Sequence, residues 1–282
     1  MLTNFGIGPL VPPMRATRAR ACYQACHEAW RTVRGVVRSL RIYYGDGSRT
    51  AAMARLYGRF VHPGDLVFDI GAHVGDRVGV FRRLGARVVA VEPQPALIRT
   101  LTLLYGRDRT VAIEPVAVGR SAGSAELRLN IDNPTVSTAS EAFLQAARGA
   151  QGWEGQAWTR SLRVPVTTLD ALIARHGAPA FIKIDVEGFE AEALAGLTRA
   201  PLALSFEFTT IQRDVTAACI ERCSTLGLSR FNAMLGESHT FVHADWVSAR
   251  EIAHWLAALP HVANSGDVYA ARPDARCLRA AN

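Results

Sequence analysis

The chain's single lysine, Lys183, stands in the stretch FIKIDVEGFE, two residues before Asp185 and four before Glu187, while arginine supplies every other long basic side chain. Lysine kept where arginine is the rule marks a position that calls for a compact ammonium rather than a planar guanidinium. Alternate residues of an extended strand face the same way, so Lys183, Asp185 and Glu187 are expected along one side, about 6–7 Å apart per pair. Ile182, Ile184 and Val186 take the other side. Charges in a central strand must be mutually paired, ligand-bound or solvated, because an unpaired buried ion costs several kcal/mol. Such a set suits chemistry on a hydroxyl group. Asp185 or Glu187 takes the hydroxyl proton, or coordinates a divalent cation that holds a diol; Lys183 pairs with them or, if desolvated, is itself the base. We favour Asp185 and Glu187 on the acceptor side, with Lys183 as their orienting partner. The eight histidines form no HxxxH-type cluster, so no dedicated metal cage is indicated.

A second constellation lies in DIGAHVGDRVG, which sets Asp69 and Gly71 at the end of an apolar strand and Gly75 at the start of a helix. Glycine there lets the backbone turn tightly and approach a ligand. The next strand, VAVEP, ends in Glu92, 21 residues after Gly71, and an acid at that place suits a bidentate hydrogen bond to a ribose diol. Together these residues predict an adenosine-type ligand. A dinucleotide loop needs a second glycine two residues after the first, to admit pyrophosphate; here that residue is His73. S-adenosylmethionine carries no phosphate, and its ammonium and sulfonium suit a nearby carboxylate such as Asp69. The spacing therefore favours a methyl donor over NAD. Pro179, four residues before Lys183, also removes the Tyr-xxx-Lys pair that a nicotinamide oxidoreductase would offer.

These residues must be positioned by strands and helices in alternation. LVFDI, RVVAVE, VAIEPVAVG, AFIKIDV and LALSFEF read as strands. GDRVGVFRRLG, PQPALIRTLTLLYG, EAEALAGLTR and VTAACIERCSTLG read as helices between or after them. That rhythm implies an α/β fold with a parallel sheet covered on both faces, and late strands are expected at SRFNAML and DVYAAR. Residues 1–60 form a helical N-terminal extension, with one helix near 17–40 and a second in SRTAAMARLYGRF for which Ser48 is a candidate cap. The main domain is expected over 61–272 with an acceptor-side insertion near 120–180, followed by a frayed tail over 273–282. Ser137 and Thr138 in STAS and Glu207 in SFEF are secondary acceptor-side candidates, whereas Asp170 in TTLD is read as a helix cap or anchor. Trp153, Trp158, Trp246 and Trp255 are read as core, with an acceptor surface as the alternative.

Composition is that of an ordinary globular chain, with 49% hydrophobic and 20% charged residues over 282 positions. Cys22/Cys26 and Cys219/Cys223 fall at helical spacing with no CxxC pair, which predicts buried reduced thiols. No apolar run approaches a membrane span, the leader MLTNFGIGPLVPPMRATRAR makes a poor signal peptide, and the chain is read as cytoplasmic. The net charge of +7 raises nucleic acid as a partner, but the arginines are spread along the chain without interleaved aromatics, so that partner is disfavoured. Arg31, Arg34, Arg38 and Arg41 share one helix face, read as solvated, with an anionic or membrane-surface contact as the alternative. Oligomeric state leaves no mark in the sequence.

LVFDIGAHVGDRVGVF, VVAVEPQP, PVTTLDAL and FIKIDVEGFEAEALAGL, in this order over roughly residues 60–210, closely resemble the FkbM family of S-adenosylmethionine-dependent methyltransferases. The resemblance implies a class I methyltransferase (Rossmann-like) fold: a seven-stranded, mostly parallel sheet with helices on both faces and a late antiparallel hairpin. It also implies O-methylation of a small hydroxylated acceptor such as a glycan, a lipid-linked sugar or a natural product. By resemblance Asp69, Gly71, Gly75 and Glu92 fall on the cofactor motif, and His73 departs from the asparagine most expected at its place. The alternatives carried alongside are an NAD-dependent oxidoreductase and a nucleic-acid methyltransferase.

Overall fold

A computed structural model describes residues 14–278 of the chain. It opens on a long helix, α1 (Met14–Tyr44), and a shorter one, α2 (Gly47–Tyr57). The cap of α2 is Asp46, two residues before the expected Ser48: its carboxylate accepts from the Ser48 N–H and hydroxyl, the geometry an acid at the cap position favours. The alternation follows as β1 (Leu66–Ile70), α3 (Asp76–Arg83), β2 (Arg87–Val91), α4 (Pro95–Tyr105) and β3 (Val111–Glu114).

The third predicted strand, VAIEPVAVG, is not continuous. Pro115 has no N–H to continue a ladder, the Val116 N–H turns back to the Glu114 carbonyl, and the chain leaves the main sheet as β4 (Ala117–Val118). With β5 (Gly123–Leu129) and β6 (Arg160–Thr167) this strand forms a small separate sheet in the order β4-β6-β5, and α5 (Glu141–Ala147) lies between β5 and β6 in the chain. The main alternation resumes with α6 (Leu169–His176), β7 (Phe181–Ile184), α7 (Glu190–Ala195), β8 (Ala203–Thr209) and α8 (Arg213–Thr225). It closes with β9 (Arg230–Leu235), α9 (Ala249–Ala258) and β10 (Ser265–Ala271).

The main sheet runs β3-β2-β1-β7-β8-β10-β9. Its first five strands are parallel, and β10 is antiparallel to both β8 and β9. The late antiparallel pair is no tight hairpin, since α9 intervenes. From β1 the chain winds outward to β2 and β3, then returns to lay β7 on the other side of β1. That reversal opens a crevice at the carboxyl ends of β1 and β7, where ligands of open α/β sheets bind.

Every residue of β1 and β7 is buried, as expected where helices cover both faces. One face packs Phe68, Ile182, Ile184 and Phe206 against α6 to α9; the other packs Phe81, Phe181 and Tyr269 with Tyr57 and Phe60. Helix α1 reaches the insertion through Arg31 and Arg34, which both pair with Asp132, so only Arg38 and Arg41 of the expected solvated quartet stand free of that contact. Cys219, Cys223 and Cys277 are buried, whereas Cys26 on α1 is exposed among the described residues. Of the tail expected to fray over 273–282, the described part packs on the domain: Ala275 and Cys277 are buried, and Arg276 pairs with Asp65. Residues 1–13 and 279–282, including most of the leader read for a signal peptide, lie outside the described residues.

Candidate active site

The crevice holds a cavity of about 260 Å³. Its floor is made where three strands end together. The Gly71 and Ala72 N–H groups donate to the Val91 carbonyl, and the Asp185 N–H donates to the Ile70 carbonyl. Gly71 has φ +83°, and a Cβ there would lie 1.8 Å from the Asp185 carbonyl oxygen, so only glycine lets the ends of β1 and β7 close. Gly75 serves differently: a Cβ on it would lie 2.7 Å from the side chains of Leu101 and Tyr105, so it lets α3 start against α4 and does not line the cavity.

Glu92 lines the cavity, nearly fully buried, and its two oxygens accept from the N–H groups of His73 (3.0 Å) and Gln94 (2.8 Å). Burial pushes its pKa up to about 7 despite those two bonds. His73 adopts a left-handed backbone (φ +50°) and sets its ring edge-on against Tyr43 of α1. Burial lowers that imidazole to about 4, which keeps it neutral. Asp69, expected near a ligand ammonium, does not reach the cavity. It lies fully buried behind the wall, opposite Lys183 in the strand register, with neither carboxylate oxygen hydrogen-bonded, and burial raises it to about 6.

The opening stretch folds differently from a straight strand. Lys183 is fully buried and its Nζ lies 2.5 Å from Asp185 Oδ2, so that pair forms as expected. Burial would lower the lysine, but Asp185 and the acids behind it hold it above the ordinary lysine value, and burial would raise Asp185, but Lys183 and Arg77 hold it low. Lys183 is thus engaged as the ion-pair partner of Asp185, the orienting position expected of it.

The strand stops at Ile184, so Glu187 does not continue its row. The Glu190 carboxylate accepts from the Val186 and Gly188 N–H groups, the Thr138 hydroxyl donates to the Glu187 carbonyl, and Glu187 takes φ +54°. This turn swings the Glu187 side chain back over the strand end. One carboxylate oxygen each from Asp185, Glu187 and Glu207 of β8 then lie within 4.8 Å of one another, a set able to share protons or hold a divalent cation. Glu187 Oε2 and Glu207 Oε2 have no hydrogen-bond partner. Burial, and then the neighbouring carboxylates, push both acids well above the carboxylate range.

Of the other expected residues, Ser137 lines the cavity and Thr138 lies behind it. Asp170 anchors the chain after α7 by accepting from the Thr198 N–H, while Thr168 caps α6. Trp153 lines the cavity; Trp158 donates to the Val136 carbonyl, and Trp246 and Trp255 pack against the two cores. Sequence reasoning did not find Tyr43, Asp76, Arg77 or Glu237, which also line the cavity. Arg77 binds Glu237 (3.0 Å) and Asp76, and Arg49 of α2 joins both acids, so this network fastens the N-terminal helices and the loop after β9 across the crevice. Asp76 and Arg77 directly follow the glycine loop and were within reach of a local reading. Glu237 was not, because its only signal is spatial.

A family model described as the methyltransferase FkbM domain matches residues 69–262, more than half of the chain. The chain belongs to the FkbM methyltransferase family. Its activity is S-adenosylmethionine-dependent methyl transfer, and the NAD-dependent alternative is set aside. The hexuronic acid methyltransferase AglP of Haloferax volcanii is 24% identical over 231 residues, covering 79% of this chain and 85% of that protein. Two solved structures show 14% and 13% identity. The TehB-like S-adenosylmethionine-dependent methyltransferase of Corynebacterium glutamicum has a TM-score of 0.41, with 78% of this chain and 87% of that one covered. The 1,6-didemethyltoxoflavin-N1-methyltransferase of Burkholderia thailandensis has a TM-score of 0.38, with 95% and 94% covered.

The FkbM cavity fits its methyl donor on chemistry. Each Glu92 oxygen takes one backbone N–H and keeps a lone pair for a ribose hydroxyl, and the unpartnered acids opposite suit a cationic ligand. Among the described residues no helix is long and apolar enough to cross a membrane.

Proposed function

We propose that this FkbM methyltransferase methylates a hydroxyl oxygen of a small molecule, glycan or lipid-linked sugar held against Asp185, Glu187 and Glu207, with the donor on Gly71, the His73 backbone and Glu92. The observation that carries this reading is the convergence of three acid side chains from two adjacent strand ends on one cavity wall. When bound, S-adenosylmethionine supplies an electrophilic methyl group on sulfur. The chain's part is to orient the acceptor in line and to take its proton.

Glu187 is the better proton acceptor. Its carboxylate is unpartnered and its pKa is raised, whereas Asp185 is already held as an anion by Lys183. Asp185 and Glu207 then accept hydrogen bonds from the acceptor's other hydroxyls. Lys183 and Thr138 act by position: the first fixes Asp185, the second fixes the turn that aims Glu187. Asp69 and Gly75 support this arrangement from behind the wall, and Ser137, whose hydroxyl accepts from the Asn130 N–H, shapes the acceptor side.

The name of AglP gives a hexuronic acid as that protein's substrate. A carboxylate acceptor needs no base, so unpartnered acids placed to take a proton favour a hydroxyl. Labelled methyl donor offered with neutral sugars, polyols and hexuronic acids tests this. A base-stable methyl ether on neutral acceptors supports the reading, and label found only in a base-labile methyl ester on hexuronic acids overturns it.

A further inference from the structure

Outside the crevice, α1 and α4 carry an apolar face on which nothing packs among the described residues. Along α1, Tyr23, Trp30, Val37 and Tyr44 recur every seventh residue and are all exposed, Trp30 by 58%, and Val33 between them is 61% exposed. On α4, Leu103 is 85% exposed and Leu104 is exposed beside it. Val33 and Val37 of this stripe, with Val36, line a groove of about 500 Å³ closed on its other sides by Ala96, Arg99 and Thr100 of α4 and by Leu129 and Leu162 of β5 and β6, and Leu103 continues the α4 row at helical spacing. A continuous exposed apolar face around a groove marks an interaction surface.

The charges on this face decide what it meets. Arg34, Arg38 and Arg41 flank the α1 stripe and Arg99 lines the groove. The acids nearby are engaged: Glu28 with Arg160, and Asp132 with Arg31 and Arg34. Arg38, Arg41 and Arg99 form no ion pair among the described residues. A second copy of the chain would bring arginine against arginine, whereas an anionic surface would satisfy them. The Arg34 guanidinium already lies 4.9 Å over the Trp30 ring, so charge and apolar bulk are presented together. Aromatic and aliphatic side chains edged by arginine are what an interfacial helix sets into the headgroup boundary of a bilayer.

We infer that the α1–α4 face docks the enzyme on an anionic lipid bilayer, with Trp30, Val33, Val37 and Leu103 entering the interface and Arg38, Arg41 and Arg99 facing lipid phosphates. The test is co-sedimentation of the full chain with phosphatidylcholine vesicles, with and without about 30% phosphatidylglycerol. Binding to the anionic vesicles is expected to be at least about tenfold stronger, and to weaken about tenfold or more when salt is raised from about 0.1 M to about 0.5 M. Arg38→Gln/Arg41→Gln is expected to weaken it about 30-fold. Trp30→Ser/Leu103→Ser is expected to abolish it while leaving the melting temperature unchanged, because both side chains already stand in solvent. Absence of binding, or binding indifferent to both variants, overturns the inference. So does a dimer in light scattering that Trp30→Ser/Leu103→Ser converts to monomer, which would assign the face to a second copy.

Discussion

Replacing Glu92 by glutamine isolates what its charge does. The carboxylate accepts one backbone N–H on each oxygen, from His73 and Gln94, and each oxygen has a lone pair left toward the cavity. The amide keeps one acceptor oxygen and turns the other position into a donor. One ribose hydroxyl therefore loses a charge-assisted bond worth about 1.5–3 kcal/mol, and the other keeps only a neutral one. The expected loss of S-adenosylhomocysteine affinity is about 2–3 kcal/mol, or about 30- to 150-fold. Stability moves little, because two effects oppose. The amide leaves one backbone N–H facing a donor, at a cost of about 1–3 kcal/mol. Above pH 7 it also removes a buried charge whose raised pKa represents on the order of 3 kcal/mol of desolvation.

Calorimetric titration at about pH 8, where Glu92 is ionised, paired with a melting curve, separates the two. In the unaltered protein, affinity is expected to fall as pH drops through about 7 and Glu92 protonates; the glutamine variant should lose that dependence. A normally melting variant that binds within about threefold of the parent would refute the assignment of Glu92 to the ribose.

Gly71→Ala puts a Cβ 1.8 Å from the Asp185 carbonyl at φ +83°, and a loss of about 3 kcal/mol or more is expected in urea denaturation. Asp185→Asn leaves the buried Lys183 ammonium without its nearest anion, so it should cost about 3 kcal/mol of stability; turnover should fall far more than cofactor affinity, and equal loss of both would move Asp185 to the cofactor side. Asp69 and Asp267 are raised to about 6 and Glu92 and Glu190 to about 7, all by burial. A raised acid holds its proton more tightly in the folded chain, so its contribution is full below the ordinary carboxylate pKa and is lost as pH rises through the folded values. The ligand-free protein should therefore melt lower at about pH 7.5 than at about pH 5, and a rising melting temperature over that window would contradict these environments.

Much of this architecture was legible because it rests on local patterns. Buried parallel strands such as LVFDI show as short apolar runs, and their helices by apolar spacing, so the sheet and the glycine loop followed from the sequence. The acids of FIKIDVEGFE were legible as residues but not as geometry. An unbroken strand predicts Glu187 in line with Lys183 and Asp185, whereas the Glu190 carboxylate, four residues after Val186, captures backbone N–H groups and bends the chain. Pro115 is the local signal for the strand break, and the apolar run on either side of it obscures that signal. Glu237 and Tyr43 could not be read at all, since they reach the cavity through tertiary contacts with Arg77 and His73 from distant parts of the chain. Asp69 shows the limit of motif reading. The motif places it at the strand end, but the pleat turns its side chain behind the wall toward Lys183.

The position of the donor's sulfur decides between these roles most directly. A crystal structure with S-adenosylhomocysteine is predicted to show the ribose hydroxyls on Glu92 and the sulfur facing Asp185, Glu187 and Glu207 across the cavity. A sulfur turned away from those three carboxylates, or a ribose bound elsewhere than on Glu92, would contradict it.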